Sequence, residues 1–236
     1  MHHPREAIIL AGGKGTRLQT VVKDIPKPMA PIGDKPFLEY ILKYLEGYKM
    51  EHVVLSVGYK WKTIEQYFGK SFGSMKLSYA VEEEPLGTGG GIRLSMDHLI
   101  DEHAFILNGD TFFNINLHDL SEFYFAHKAD MCMTVKRKRD FFRYGTVQLD
   151  VCKVIGFREK RPVKNGLINA GVYIMGRPLL TDFERGEPFS FETDFLQKEL
   201  KKLKICAMQS QEYFIDIGVP ADYQKACTEL PGIISA

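Results

Sequence analysis

The residues best suited to chemistry stand near the start of the chain. Leu10-Ala11-Gly12-Gly13-Lys14-Gly15-Thr16-Arg17-Leu18 continues the apolar run Ala7-Ile8-Ile9-Leu10, which reads as a buried strand that ends in glycines. A Walker A loop needs GxxxxGK[ST], and here Lys14 is followed by Gly15. A Rossmann fingerprint begun at Gly13 and Gly15 meets Leu18 at its third glycine position. What remains is a glycine loop whose backbone N–H groups wrap phosphates, with Arg17 as a planar, permanently charged fork. A tight strand-to-helix turn is the plain alternative. A second such point is Asn108-Gly109-Asp110, at the end of the apolar run 104–107.

Residues at strand ends need a scaffold that brings those ends together. Strands read over 52–57, 76–81 and 104–107 alternate with helices over 36–45 and 63–68. That alternation predicts an α/β fold, a mostly parallel sheet flanked by helices, with ligands at the carboxyl ends of the strands. The second half is richer in strands, over 131–136, 145–149, 153–157 and 167–175. A helix near 192–201, a strand near 204–208 and a helix after Pro220 close the chain. With no internal repeat or linker, residues 1–236 are expected to form one domain.

Composition narrows the function classes. The 236 residues are 44% hydrophobic and 26% charged, with a formal net charge of +1, an ordinary globular balance that offers no global field for nucleic acid or an acidic membrane. The apolar runs are strand-sized, far short of the ~20 residues of a membrane span. The chain enters its first strand almost at once, so no signal peptide is expected and the cytoplasm is the expected compartment. Cys132, Cys152, Cys206 and Cys227 are widely spaced and form no CxxC, so free thiols are expected. The run Lys136-Arg137-Lys138-Arg139 lacks the interleaved aromatics of a single-strand platform and reads as a solvated strand end.

LAGGKGTRL followed by Pro26-Lys27-Pro28-Met29 resembles the signature of the sugar-1-phosphate nucleotidyltransferases. The resemblance continues through Glu84-Pro85-Leu86-Gly87-Thr88-Gly89-Gly90, Asn108-Gly109-Asp110, Arg143-Tyr144-Gly145, Glu159-Lys160, Asn169-Ala170-Gly171 and Asp216-Ile217-Gly218. It implies a Rossmann-like (GT-A-like) domain, with a nucleotide-binding part over about 1–130 and a sugar-binding part over about 131–236. The implied reaction joins a sugar 1-phosphate to the α-phosphorus of a nucleoside triphosphate and releases pyrophosphate. A phosphate monoester with a second pKa of about 6 is already largely ionised at neutral pH, so no general base is required. Charge neutralisation and alignment for in-line attack are.

Carried over position by position, the resemblance implies these roles. Leu10, Ala11, Gly12, Gly13, Gly15, Thr16 and Arg17 hold the triphosphate, with Glu82, Pro85, Gly87 and Thr88 around the base. Arg17 grips the leaving phosphates, Lys27 contacts the reacting phosphates and Lys160 binds the phosphate of the sugar. Asn108, Gly109, Gly145, Glu159, Asn169 and Gly171 line the sugar pocket. Asp110 and Asp216 are the metal pair, and their hard oxygens suit Mg²⁺.

Glu82 aligns by spacing with a base-reading position of the family. A carboxylate only accepts, and guanine offers two adjacent donors, N1–H and the N2 amine, so GTP is the expected triphosphate. Within the family the chain looks most like the D-glycero-α-D-manno-heptose 1-phosphate guanylyltransferases, which make GDP-heptose for bacterial surface polysaccharides. Mannose-1-phosphate guanylyltransferases and sugar uridylyltransferases are the alternatives, since heptose and mannose share a manno ring. A nucleotide-sugar-binding regulatory subunit would lose charge at the site, whereas Arg17, Lys27, Asp110, Lys160 and Asp216 are all present. The expected partners are therefore GTP and a sugar 1-phosphate, with neither nucleic acid nor membrane. Phe141-Phe142 reads as a flap or as the association surface of a homodimer, and Trp61, Phe112, Phe113 and Tyr124 read as core.

Overall fold

The first apolar run becomes β1 (Glu6–Leu10), with Ala7, Ile8 and Ile9 fully buried. A strand apolar on both faces belongs at the centre of a sheet covered on both sides. The computed structural model, which describes residues 3–13, 18, 24–158 and 161–234, has it there. A 3-10 turn (Lys27–Met29) leads to the short pair β2 (Pro31–Ile32) and β3 (Lys35–Pro36), then α1 (Phe37–Gly47), β4 (His52–Val57) and α2 (Trp61–Phe68). Next come β5 (Ser71–Phe72), β6 (Met75–Val81), α3 (Gly87–Met96), β7 (His103–Asn108), β8 (Thr111–Phe113) and α4 (Leu117–Ala126). The second half holds β9 (Met131–Phe141), β10 (Thr146–Asp150), β11 (Lys153–Arg158) and β12 (Val163–Gly176). A π-type turn over Phe191–Leu196 runs into α5 (Gln197–Glu199), and β13 (Ile205–Gln209), β14 (Phe214–Asp216) and α6 (Pro220–Ile234) finish the fold.

Ten strands form the main sheet, in the order β10-β11-β13-β9-β12-β7-β1-β4-β6-β5. Its centre, β7-β1-β4-β6, is parallel. β12 then runs antiparallel between β7 and β9, so the second half of the sheet is mixed. On one face α1 packs Phe37, Leu38, Ile41, Leu42 and Leu45 over Leu55 and Val57. On the other, Ile92 and Met96 of α3 cover Ile8, Val54, Ala80 and Ile106. The chain leaves β1 toward β4 and β6 on one side and returns to β7 on the other. The crevice beyond the carboxyl ends of β1 and β7 is therefore the topological switch point, where open α/β sheets take their ligands. Leu10 and Asn108 sit side by side at its rim.

The opposite end of the parallel strands is closed by a buried polar network. His52 Nδ1 lies 2.6 Å from Glu6 Oε1, and its Nε2 lies 2.8 Å from Ser78 Oγ. Glu6 Oε2 accepts the N–H groups of Ile100 and Asp101. Every polar group there is partnered, as burial demands.

Several elements depart from the sequence reading. α3 occupies a glycine run of low helix propensity, which reads as a loop; tertiary contacts described below hold it. α4 is started by Asn116, whose side chain accepts the N–H groups of His118 and Asp119. Lys136-Arg137-Lys138-Arg139 lies inside β9 rather than at its end, paired with 165–168 of β12; Arg137 and Arg139 are exposed as a solvated run would be, while Lys136 and Lys138 are half-buried. Lys136 donates to the carbonyls of Gln211 and Glu212, and Lys138 Nζ sits 4.7 Å from the centre of the Tyr144 ring. Burial lowers the pKa of both lysines. Phe112, Phe113 and Tyr124 are core, while Trp61 is only half-buried against it. Phe141 is buried and Phe142 is 71% exposed. All four cysteines are free, with Cys152 Sγ and Cys206 Sγ 3.8 Å apart. Among the described residues no helix is long and apolar enough to cross a membrane.

Candidate active site

A cavity of about 770 Å³ opens at the switch point, and the ends of β1, β4, β6 and β7 form its floor. Leu10, Gly12, Gly13, Asn108 and Asp110 face it, as do Glu82, Pro85, Gly87 and Thr88. Of the sequence-predicted nucleotide residues that the structure describes, all line this cavity except Ala11, which is buried. Gly15, Thr16, Arg17, Glu159 and Lys160 lie outside the described residues.

Glu82 is held at the cavity floor by two partners. Ser56 Oγ donates to Oε1 at 3.2 Å, and the Leu86 N–H donates to Oε2 at 3.0 Å. Each oxygen keeps a further lone pair, so the carboxylate presents a double acceptor. The backbone is shaped around it. A Cβ on Gly91 would lie 2.8 Å from Glu82 Oε1, and one on Gly12 would lie 3.1 Å from the same atom.

Lys27 and Asp110 face another part of the cavity, and Asp216 is brought beside them. β8 and β14 pair antiparallel, with Thr111 opposite Asp216, and the Ile217 N–H donates to the Asp110 carbonyl at 3.0 Å. Two carboxylates far apart in sequence are thereby neighbours. Lys27 Nζ lies 2.5 Å from Asp110 Oδ2, its backbone fixed between Pro26 and Pro28. Asp216 Oδ1 accepts the Gly218 N–H at 2.7 Å, and Arg143 stands 3.6 Å from Oδ2. Arg143 also pairs with Asp222, and Asp216 first among the neighbouring acids helps to raise its pKa against the opposing effect of burial. Asp110 and Asp216 are the carboxylates that could give oxygen ligands to a cation here, and no group of three His, Cys, Asp or Glu able to hold a metal is gathered among the described residues. That donor set fits a hard divalent ion that completes its shell with phosphates and water.

The residues predicted for the sugar divide. Asn108 faces the cavity, and Gly109 is pressed against β1, where a Cβ would meet the Leu10 carbonyl oxygen at 2.4 Å. Gly145 lies against the Arg158 carbonyl. Asn169 turns to Tyr173, donating from Nδ2 to the phenol oxygen at 2.6 Å, and its Oδ1 accepts the Gly171 N–H. Gly171, at φ +75°, backs onto the Asn108 side chain, which a Cβ would approach to 2.5 Å. Gly109 and Gly171 thus back onto Leu10 and Asn108, which line this cavity, and neither they nor Gly145 and Asn169 are among its lining residues.

Four further lining residues, Ser56, Gly58, Tyr59 and Glu192, carry no sequence signal of their own. Glu192 arrives from the π-type turn through the glycines of α3. A Cβ on Gly89 would lie 2.1 Å from the Phe189 ring, and one on Gly90 would lie 2.7 Å from the Glu187 carbonyl. Without those side chains the 187–192 segment lies flat on the start of α3, where the Phe189 carbonyl accepts the Gly89 N–H at 3.0 Å.

A family model described as nucleotidyl transferase matches residues 6–231. A D-glycero-alpha-D-manno-heptose 1-phosphate guanylyltransferase of Campylobacter jejuni is 49% identical over 92% of this chain and 96% of its own. The protein of the same name from Aneurinibacillus thermoaerophilus is 46% identical over 95% of this chain and 98% of its own. The crystal structure of HddC from Yersinia pseudotuberculosis superposes with a TM-score of 0.84 at 36% identity, covering 94% of this chain and 97% of that one. HddC has also been solved complexed with GMP-PN.

Proposed function

Because the chain belongs to the nucleotidyl transferase family, we propose that it transfers GMP from GTP to D-glycero-α-D-manno-heptose 1-phosphate, giving GDP-heptose and pyrophosphate. The observation that carries the choice of base is the Glu82 carboxylate, fixed as a double acceptor at the cavity floor. Guanine's N1–H and N2 amine match it, whereas uracil and thymine would bring a carbonyl against a lone pair. The two heptose enzymes, near half identical over nearly the whole chain, support the choice of sugar.

In the reaction an oxygen of the sugar phosphate forms a bond to the α-phosphorus of GTP. The bond from that phosphorus to the β-phosphate bridging oxygen breaks, and pyrophosphate leaves. The attacking oxygen is ionised at neutral pH, so the protein must orient it and compensate charge rather than remove a proton. Lys27, beside Asp110, supplies a cation that faces the cavity. Gly12 and Gly13 let the backbone approach the phosphates, and Asn108 offers both donor and acceptor to a hydroxyl. Arg17 and Lys160 are the cations we assign to the leaving pyrophosphate and to the sugar phosphate, with Glu159 accepting from sugar hydroxyls and Asn169, Gly145 and Gly171 supporting the sugar pocket. Asp110 and Asp216 would hold a divalent cation, which we take to be Mg²⁺, and such an ion neutralises charge on the reacting phosphates. Arg143 fixes the Asp216 carboxylate in place. The free thiols accord with a reducing cytoplasm.

The test is pyrophosphate release from purified protein with Mg²⁺, each of GTP, UTP, CTP, ATP and dTTP, and a panel of sugar 1-phosphates. Turnover is expected with GTP and heptose 1-phosphate, and weak turnover with mannose 1-phosphate. Preference for mannose 1-phosphate would overturn the sugar, and preference for UTP would overturn the base.

A further inference from the structure

Among the described residues, Glu192 is the one carboxylate of the cavity that the reaction as described leaves without a task and that a neighbouring element fixes in place. Its Oε2 accepts from Thr88 Oγ1 at 2.9 Å and from Ser190 Oγ at 3.3 Å. Thr88 is fixed in turn, since its Oγ1 accepts the Phe191 N–H at 2.9 Å. Oε1 has no hydrogen-bond partner among the described residues, and the side chain is half-buried at the cavity wall. This is an oriented acceptor with one oxygen left to use.

A carboxylate beside the path of two phosphate esters repels them, so it is tolerated only against a neutral, donor-rich part of a substrate. With guanine's donors matched to Glu82, hydroxyl groups are what remain. Tyr173 locates them. Its phenol is fully buried and pushed far above the ordinary tyrosine range, by burial first and by the charges of Glu192 and Asp110 in addition. The same phenol oxygen accepts from Asn169 Nδ2. Phe191, next to Glu192 in the chain, packs edge-on against the Tyr173 ring with centroids 5.3 Å apart, so Glu192 stands on the side of the Tyr173–Asn169 pair, where the proposed reaction brings the sugar 1-phosphate to the α-phosphorus.

We propose that Glu192 is a specificity-determining residue, its free oxygen accepting a hydrogen bond from a hydroxyl of the sugar 1-phosphate. The proposal rests on the transferase reading and deepens it. A wall of this kind selects polyhydroxylated sugars, because a sugar that lacks the hydroxyl leaves a desolvated carboxylate unpaired.

The experiment compares the parent protein with Glu192→Ala and Glu192→Gln. Pyrophosphate release is followed with GTP and whichever sugar 1-phosphate the parent turns over, then with the single-deoxy analogues of that sugar. GTP affinity is measured separately by calorimetry without sugar. For Glu192→Ala, KM for the sugar is expected to rise about 10- to 100-fold while GTP affinity stays within about two-fold. One deoxy analogue, handled poorly by the parent, is expected to be handled by the variant as well as the full sugar is. Glu192→Gln keeps the shape and one acceptor oxygen, guards against a folding defect and should fall between.

An unchanged sugar KM, or full discrimination kept against every deoxy analogue, would overturn the proposal. Loss of GTP affinity equal to the loss for sugar would also overturn it, making Glu192 a ribose contact or a clasp for Thr88. If the parent turns over no pair at all, the transferase reading falls and this one with it. If the parent is active and the variants match it, only this one falls.

Discussion

Replacing Glu82 by glutamine changes no shape and one charge, and the geometry gives the size of the effect. Oε1 is engaged by Ser56 Oγ at 3.2 Å and Oε2 by the Leu86 N–H at 3.0 Å, so each oxygen has one direction left for a base. Guanine fills both with N1–H and N2–H. In Glu82→Gln the remaining oxygen must still serve Leu86, and the amide nitrogen turns its own donors toward a guanine donor. One hydrogen bond to a charged acceptor is lost, a change of about 1.5–3 kcal/mol. That corresponds to about 10- to 150-fold in kcat/KM for GTP. The same amide matches the adjacent N–H and carbonyl of uracil, so activity with UTP should hold or rise. The assay is pyrophosphate release with GTP and with UTP at subsaturating concentration, with thermal unfolding as the control for shape. A GTP-to-UTP ratio that stays within about two-fold of the parent's, in a folded and active variant, would refute the reasoning and leave Glu82 as a clasp for the Leu86 turn.

Two further outcomes follow from packing and from burial. Gly89→Ala places a methyl 2.1 Å from the Phe189 ring, which is itself stacked on Phe183 with centroids 4.0 Å apart. Overpacking of this kind costs about 1–3 kcal/mol. The unfolding midpoint should drop by several degrees and Phe189→Leu should recover part of it; an unchanged midpoint would contradict the packing account. Burial pushes the Cys206 thiol up to about 11 and the Cys132 thiol higher, so in the folded protein both keep their protons at pH 8. A thiol-specific chromogenic reagent should therefore label these two slowly until denaturant is added. Because the unfolded thiols ionise at the ordinary value while the folded ones do not, stability should fall as pH rises through the usual thiol range. Four rapid equivalents in the native protein would contradict the burial.

Much of the scaffold is legible in the sequence. β4 spans His52–Val57, as its apolar run predicts, and α1 and β6 differ from their predicted bounds by one or two residues. The apolar spacing of these segments matches the faces they bury, and that is a local property. α3 is the instructive failure. Gly87-Thr88-Gly89-Gly90-Gly91 has little preference for helix, and it becomes one because Phe189 and Glu187 occupy the space its missing side chains leave. β8 and β14 escape notice for a related reason, being three residues each and defined by one another.

The candidate site divides in the same way. From the sequence come the kinds of group available and the strand ends that carry them: the glycine turn after Leu10, Lys27 between prolines, Asp110 after β7 and Asp216 before Gly218. Distances between those groups were not available from it. Lys27 and Asp110 are 83 residues apart and in ionic contact, while Thr88 and Glu192 are 104 apart and share a hydrogen bond. Sheet register and close packing fix such contacts, and neither leaves a periodic mark on the chain. The tertiary structure alone decided that Glu82 is a braced double acceptor, that Asn169 is turned to Tyr173, and that Glu192 belongs to the cavity. Side-chain types and their local period are written along the sequence, but which oxygen faces which donor depends on segments that meet only after the sheet has formed.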